Sequence, residues 1–375
     1  MKLPLIIGVP KEVKTHEYRV GLIPGSVREL VHHGHKVIAQ SHAGDGSGFS
    51  DDTYRAAGAQ VVDTADEVFA DADMIVKVKE LQPQEYPMLR EGQLLFCYLH
   101  LAPDPEQTAN LIHSKAIAIA YETVTDDAGQ LPLLTPSSEV AGRMAIQVGT
   151  RYLEKYTGGS GVLLGGVPGV MPGHVVIIGG GVAGTAAART AMGLDAHVTV
   201  IDRSLSRLQE LDYLYGGRLN TIYSTAENIE HYVSMADVVV GAVLIHGAAA
   251  PKLVTRLTLT KMRKGSVLID LAIDQGGCFE TSHPTTHMDP TYEVDGIIHY
   301  CVTNMPGALA RTSTLALNNA TLPFVLALAS KGYQKAFLDD KNLLNGLNVY
   351  RGHITYEAVA RDLGYTFVDP LSLIS

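Results

Sequence analysis

The sequence predicts an α/β chain of two doubly wound parallel sheets, one domain inserted into the other, and three observations carry that expectation. Short runs rich in Val, Ile and Leu alternate with helical segments along most of the 375 residues, the pattern that closes into parallel sheets. One such run, 175–178, leads directly into G-x-G-x-x-G at Gly179, Gly181 and Gly184. The C-terminal segment departs from the alternation and is too small to fold alone, so it is expected to pack back on the N-terminal sheet. The domains expected are therefore 1–133 with 307–375, and 134–306 between them.

In the first part, strands are expected at 3–9, 36–39, 74–78, 94–99 and 116–121, with a helix at 26–33 that ends at Gly34. Ser50 is expected to cap a short helix carrying Asp51 and Asp52 in its first turn, where negative charge suits the helix dipole. The glycine-rich loop 44–48 could bind an anion, but it follows no clean strand-to-helix step and reads as a plain turn. A helix over 137–156, capped by Ser137 or Ser138, places Val140, Met144, Val148 and Leu153 on one face. Residues 158–173 are rich in Gly and Pro and read as a boundary loop.

Six strands follow, at 175–179, 197–201, 219–223, 237–243, 266–272 and 297–302. Six parallel strands in two halves make a complete dinucleotide-binding sheet. The tail holds an apolar helix at 312–330, interrupted and kinked at Pro323, and a last short helix around Val359. Two chain crossings would then form a hinge over a cleft.

Composition narrows the function. Hydrophobic residues make up 46% and charged residues 18%, a globular balance. The formal net charge of -10 offers no basic footprint for nucleic acid. No apolar stretch is read as reaching the ~18 residues of a membrane span, and the N-terminus lacks a signal-peptide plan. Cys97, Cys278 and Cys301 are widely separated, which fits a reducing cytoplasm and no metal framework.

The glycine motif carries the most specific chemistry. Gly179 permits a tight turn, Gly181 lets the backbone approach a pyrophosphate, and Gly184 lets helix and strand pack closely. Backbone N–H groups and the dipole at the helix start favour the phosphates. Asp202, roughly 20 residues on, suits both ribose hydroxyls. It would repel a 2′-phosphate, which points to NAD, while the neighbouring Arg203 could tolerate that phosphate.

Other reactive side chains lie where strands end. Arg19 follows the first strand, Lys79 closes the run 74–78, and His100 closes 94–99. Asp274 follows 267–272 and Asn304 follows 299–302. Ligands of open α/β sheets bind beyond the carboxyl ends of strands, so these five residues are expected to converge on one cleft.

The stretches KEVKTHEYRVGLIP, KVKE, FCYLHLA, SSEVAG, GGVPGV, DLAIDQGGCFE and NMPGALARTST resemble those of NAD-dependent alanine dehydrogenases, over essentially the full length. That resemblance implies two Rossmann-like domains with the NAD domain inserted, assembled as a homohexamer, and reversible oxidative deamination of L-alanine to pyruvate and ammonium. It implies that Arg19 and Lys79 hold the substrate, while His100 and Asp274 do proton chemistry. Ser138, Gly179, Gly181, Val182, Ala183, Gly184, Asp202 and Asn304 would line the cofactor side. Two departures stand out. Ser137 replaces a common Met, and Ile245-His246-Gly247 replaces a common Val-Pro-Gly.

The implied reaction needs what these residues offer. Arg gives a planar two-point grip on a carboxylate, Lys79 polarises a carbonyl, and His100 moves protons as imine, carbinolamine and ketone interconvert. Three other readings compete: the soluble part of a proton-translocating transhydrogenase, which typically has Glu where Asp274 stands; a saccharopine-type or other amino-acid dehydrogenase with a larger substrate; and a non-enzymatic nucleotide-binding protein. No catalytic metal is expected. His283 and His287 have i,i+4 spacing, but Pro284 stands between them. His32, His33 and His35 read as surface residues at a helix end.

Overall fold

Two runs of apolar strands give this chain two sheets with the same internal order. The computed structural model describes residues 4–243 and 250–374. The chain divides into one unit that runs to Pro136 and resumes at Leu309, and a second that spans Ser137–Ala308.

In the first unit, β1 (Ile6–Val9), β2 (Lys36–Gln40), β3 (Gln60–Val62), β4 (Met74–Val76), β5 (Leu94–Cys97) and β6 (Ile117–Ala120) run parallel in the order β3-β2-β1-β4-β5-β6. Both faces are apolar because helices cover both. Met74, Val76, Leu94 and Phe96 join one core cluster, while Ile75, Leu95 and Cys97 join the other, the period-two alternation of a strand. β3 was not expected; three residues are too few for alternation to register. Ser50 sits at the N-cap of helix Asp51–Ala56 without a side-chain cap bond. His35, expected at the surface, is buried, with Nε2 3.1 Å from Ser330 Oγ.

The second unit repeats the plan. β7 (His174–Ile178), β8 (His197–Asp202), β9 (Asn220–Tyr223), β10 (Val238–Gly241), β11 (Val267–Asp270) and β13 (Ile297–Tyr300) are parallel in the order β9-β8-β7-β10-β11-β13. An unforeseen strand, β12 (Thr291–Val294), pairs antiparallel on the edge of β13. Its residues are only partly buried, so its sequence lacks the apolar run that marks the others. In both sheets the order reverses beside the first strand, which puts a ligand crevice at the carboxyl ends of β1 and β4, and of β7 and β10.

The helix expected to start at Ser137 or Ser138 begins earlier, at Thr135, and runs to Tyr152. Pro136 suits the first turn, where its missing N–H costs nothing. Both serines therefore lie inside the first turn instead of capping it.

The tail corrects three readings. Helix Ala310–Lys331 runs unbroken through Pro323, because Thr321 and Val325 on either side are fully buried and packing holds the backbone helical across the lost hydrogen bond. The segment Met305–Lys331 is also long and apolar enough, by length and composition, to cross a membrane. Its helix serves the first unit as a core helix, with Leu317, Val325 and Leu328 in the cluster above β1 and β4. Finally, the tail contributes strands: β14 (Leu347–Tyr350) pairs antiparallel with β6, and β15 (His353–Ile354) pairs with β14.

Candidate active site

The loop after β1 carries Arg19 and is clamped from both sides. A Cβ at Gly21 would lie 2.3 Å from the Val76 carbonyl oxygen, so only glycine lets this loop cross the end of β4. From helix Ala310–Lys331, Asn318 Oδ1 accepts the Ile23 N–H at 2.8 Å and Thr314 Oγ1 that of Val20 at 3.4 Å. Arg19 itself is buried, and donates from Nε to Glu17 Oε1 at 2.8 Å and from Nη2 to Oε2 at 2.7 Å. Burial alone would push the Glu17 carboxyl up. The two-point pairing with Arg19 outweighs it and holds the carboxyl at about 2.

Lys79 lies just beyond β4 and is half-buried. Burial, and then the positive charge of Arg19, hold its ammonium below the ordinary lysine range. Lys77, two residues earlier, has a different task. It is fully buried, with Nζ 2.6 Å from Glu85 Oε1 and 3.3 Å from Glu12 Oε2. Glu12 Oε1 in turn accepts the Val78 N–H at 2.6 Å and the Lys79 N–H at 3.4 Å, which ties down the backbone that bears Lys79.

His100 is exposed and has φ of 49°, a left-handed conformation at the end of the β5 segment. Its ring stacks on Tyr98 with centroids 5.9 Å apart and planes 9° apart, and the Tyr98 hydroxyl donates to the Leu133 carbonyl at 2.6 Å. Glu122, on the turn after β6, accepts the His100 N–H at 2.6 Å and stands 4.0 Å from its Nδ1. The strained backbone and the stacked ring leave the imidazole facing outward with a carboxylate beside it.

In the second unit, the three glycines differ in what demands them. Gly179 has φ of 103°, and a Cβ there would meet the Ala242 carbonyl oxygen at 2.5 Å. A Cβ at Gly184 would lie 1.8 Å from the Gly179 carbonyl oxygen. Gly181 has ordinary angles, φ -67° and ψ -163°, and among the described residues nothing comes within 4 Å of its Cβ position. The open space lies at the N-terminus of helix Val182–Gly193, where unpaired N–H groups and the dipole favour an anion. A pyrophosphate fits this cradle. Val182 and Ala183 form the first turn of that helix.

Asp202 ends β8 and closes the same loop. Its Oδ2 accepts the Gly180 N–H at 2.6 Å and its Oδ1 the Ser204 N–H at 2.8 Å. A carboxylate has about four acceptor sites, so both oxygens retain capacity for ribose hydroxyls. Arg207 donates from Nε to the Gly180 carbonyl at 2.7 Å and from Nη2 to Thr185 Oγ1 at 2.8 Å. Arg203 is exposed beside Asp202.

Asp274 is exposed on the turn Ile273–Gln275 beyond β11. Asn304 follows β13 with φ of 55°, and its carbonyl accepts the Gly307 N–H at 2.9 Å. Ser137 and Ser138 are half-buried in the first turn of helix Thr135–Tyr152. The departure at Ile245-His246-Gly247 lies outside the described residues. His283 lies outside any helix, stacked on Tyr292 at 3.6 Å.

Each unit therefore gathers its own expected residues at the carboxyl ends of its strands: Arg19, Lys79 and His100 in one, the glycine loop with Asp202, and the turns of Asp274 and Asn304, in the other. The supporting residues Glu12, Glu17, Glu122 and Arg207 went unread. The available signal was an acidic or basic residue within a few positions of a strand end, too common to single them out.

The family model described as "Alanine dehydrogenase/PNT, N-terminal domain" matches residues 8–141, and that described as "Alanine dehydrogenase/PNT, C-terminal domain" matches 145–357. The alanine dehydrogenase of Halomonas elongata is 58% identical over 98% of this chain and 99% of its own length. That of Mycolicibacterium smegmatis is 52% identical over 99% of this chain and 100% of its own. A solved L-alanine dehydrogenase, 52% identical, superposes with a TM-score of 0.93 over 96% of this chain and 99% of that one. With two family models that together span most of its length and relatives above 50% identity, the chain belongs to the alanine dehydrogenase/PNT family.

Proposed function

We propose that this protein catalyses the reversible NAD-dependent oxidative deamination of L-alanine: alanine, NAD⁺ and water give pyruvate, ammonium, NADH and a proton. Bound NAD supplies the hydride acceptor. Arg19 holds the substrate carboxylate, and Lys79 polarises the carbonyl oxygen of the 2-oxo acid. His100 carries protons as carbinolamine and ketone interconvert, and Asp274 orients the water that attacks the imine. The glycine loop with Val182 and Ala183 takes the pyrophosphate, Asp202 the ribose diol, and Ser138 and Asn304 the nicotinamide side. The observation that carries the reading is the placement of buried Arg19 on the loop that crosses the end of β4, with Lys79 just beyond that strand, in a chain 58% identical to a protein named alanine dehydrogenase.

The test is a set of steady-state rates with NAD and with NADP across alanine, glycine, serine and 2-aminobutyrate. Alanine with NAD should give the highest kcat/KM; no NAD reduction with any of them would overturn the proposal. The working assembly is proposed to be a cytoplasmic homohexamer. Exposed apolar side chains at Tyr156, Leu163, Val170 and Met171 support self-association, and buried free thiols at Cys97, Cys278 and Cys301 suit a reducing compartment. Light scattering at micromolar concentration should return six chain masses, and a monomer would refute the assembly.

A further inference from the structure

Asp270, the last residue of β11, is a fully buried carboxylate with an unusual density of donors. Its Oδ1 accepts the Ala272 N–H at 3.0 Å; its Oδ2 accepts the Cys278 N–H at 2.8 Å, the Phe279 N–H at 3.3 Å and the Ser282 hydroxyl at 2.5 Å. The Cys278 thiol adds a contact at 3.5 Å to Oδ1. Ala272 and Cys278 are the two ends of the loop that carries Asp274. The loop is drawn shut over the carboxylate: Gly277 has φ of 77°, and a Cβ there would lie 2.7 Å from Asp270 Oδ2. Between those ends, the Gln275 N–H and the Gly277 N–H both return to the Ala272 carbonyl, at 2.9 and 3.0 Å. Ala250, Lys252 and Leu253 steady the far side of the turn through the carbonyls of Gln275, Gly276, Gly277 and Cys278, while both backbone ends of the turn, at Ala272 and Cys278, are tied to Asp270.

We propose that Asp270 is a positioning residue for the reaction: it fixes the turn that presents Asp274, and it acts on turnover only through Asp274. The proposal rests on the role assigned to Asp274 above. A neutral apolar residue at position 270 would leave three backbone N–H groups and a hydroxyl unpaired in the core, each a costly loss. An amide would set its own N–H₂ against the same donors. In either case the loop must shift to find new partners, and a displacement of about 1 Å at a reacting group can cost about 100-fold in rate. The glycine loop and Asp202 belong to other strand ends, so cofactor binding has no direct dependence on Asp270.

The test is a double-mutant cycle on the full-length enzyme with alanine and NAD, using D270N, D274N and D270N/D274N. Thermal melting confirms folding, and NADH fluorescence gives cofactor affinity. The expected result is a fall in kcat of at least about tenfold for D270N, with the NADH Kd changed by less than about threefold. D274N should lower kcat by ~10²–10⁴-fold, and the double variant should match D274N within about threefold, since residues acting as one unit are non-additive. A D270N loss that multiplies fully onto D274N overturns the positioning role and leaves the Asp274 assignment intact. Wild-type turnover in folded D274N overturns both. Where D270N fails to fold, S282A removes a single donor to the carboxylate. It should lower kcat severalfold in the native background and leave D274N unchanged; the same loss in both backgrounds refutes the proposal.

Discussion

Glu122 touches His100 twice: its Oε1 accepts the histidine's own backbone N–H at 2.6 Å and lies 4.0 Å from the ring Nδ1. One carboxylate thus fixes the left-handed backbone of His100 and supplies a negative charge beside its imidazole. His100→Ala should lower kcat by ~10²–10⁴-fold in folded enzyme. Glu122→Gln, which keeps an acceptor but removes the charge, should lower kcat by a smaller factor and add nothing once His100 is Ala. Steady-state kinetics on variants shown by circular dichroism to be folded would decide this. Wild-type turnover in folded His100→Ala would leave the proposed mechanism without its proton carrier.

Gly181 and Gly184 separate ligand demands from packing demands. Gly181→Ala places a methyl in space the protein leaves open, so melting should change by less than about 1 kcal/mol, while NADH binding should weaken at least tenfold. Gly184→Ala drives its Cβ into the Gly179 carbonyl oxygen, at 1.8 Å, and should destabilise the fold itself. NADH titration beside thermal melting reads both; unaltered NADH affinity in Gly181→Ala would count against the pyrophosphate cradle.

Asp202→Gly should weaken NAD binding for two reasons, loss of the ribose acceptor and loss of the bond to the Gly180 N–H. NADP should bind relatively better than in the native enzyme, because the repulsive charge is gone. A native enzyme that prefers NADP, or an Asp202→Gly variant with unchanged preference, contradicts the assignment.

Arg19→Ala should chiefly raise the KM for pyruvate and alanine, with a secondary loss of kcat. It also strands Glu17, whose side chain is fully buried; breaking such a pair typically costs ~3–5 kcal/mol. Adding Glu17→Gln should recover part of the melting temperature and none of the KM. Recovery of both would mean that Arg19 only neutralises Glu17.

Two pH dependences follow from the same cluster. The Glu17 carboxyl is held at about 2 in the folded chain, below its ordinary 4.5. Its contribution to stability is present above the unfolded value and is lost as pH falls through that window, a slope that Glu17→Gln should remove from acid-melting curves. Lys79 is lowered from 10.5 by burial and by Arg19. Pyruvate binding should therefore weaken on the alkaline side before an ordinary lysine would deprotonate, and a flat pyruvate KM up to pH 10.5 would remove Lys79 from the carbonyl.

What the sequence determined by itself is whatever a short window encodes. Runs such as 175–178 and 238–240 are strands because β-branched residues repeat without a polar break, and the Gly179–Gly181–Gly184 spacing is a strand-to-helix turn wherever it lies. The candidates Lys79, His100, Asp274 and Asn304 were legible because each follows such a run within a few positions, and Arg19 because it stands in the loop after the first one. Short or half-buried strands at Gln60–Val62, Thr291–Val294 and Leu347–Tyr350 were not, because pairing to an existing sheet edge, and not their own pattern, makes them strands. The tertiary structure alone decided which carboxylate serves which site: Glu12 reaches the Lys79 backbone across 67 positions, Glu122 that of His100 across 22, and Asp202 that of Gly180 across 22. A hydrogen bond is specified by a distance of about 3 Å in space, and sequence separation carries no record of it until the sheet order has brought the strand ends side by side.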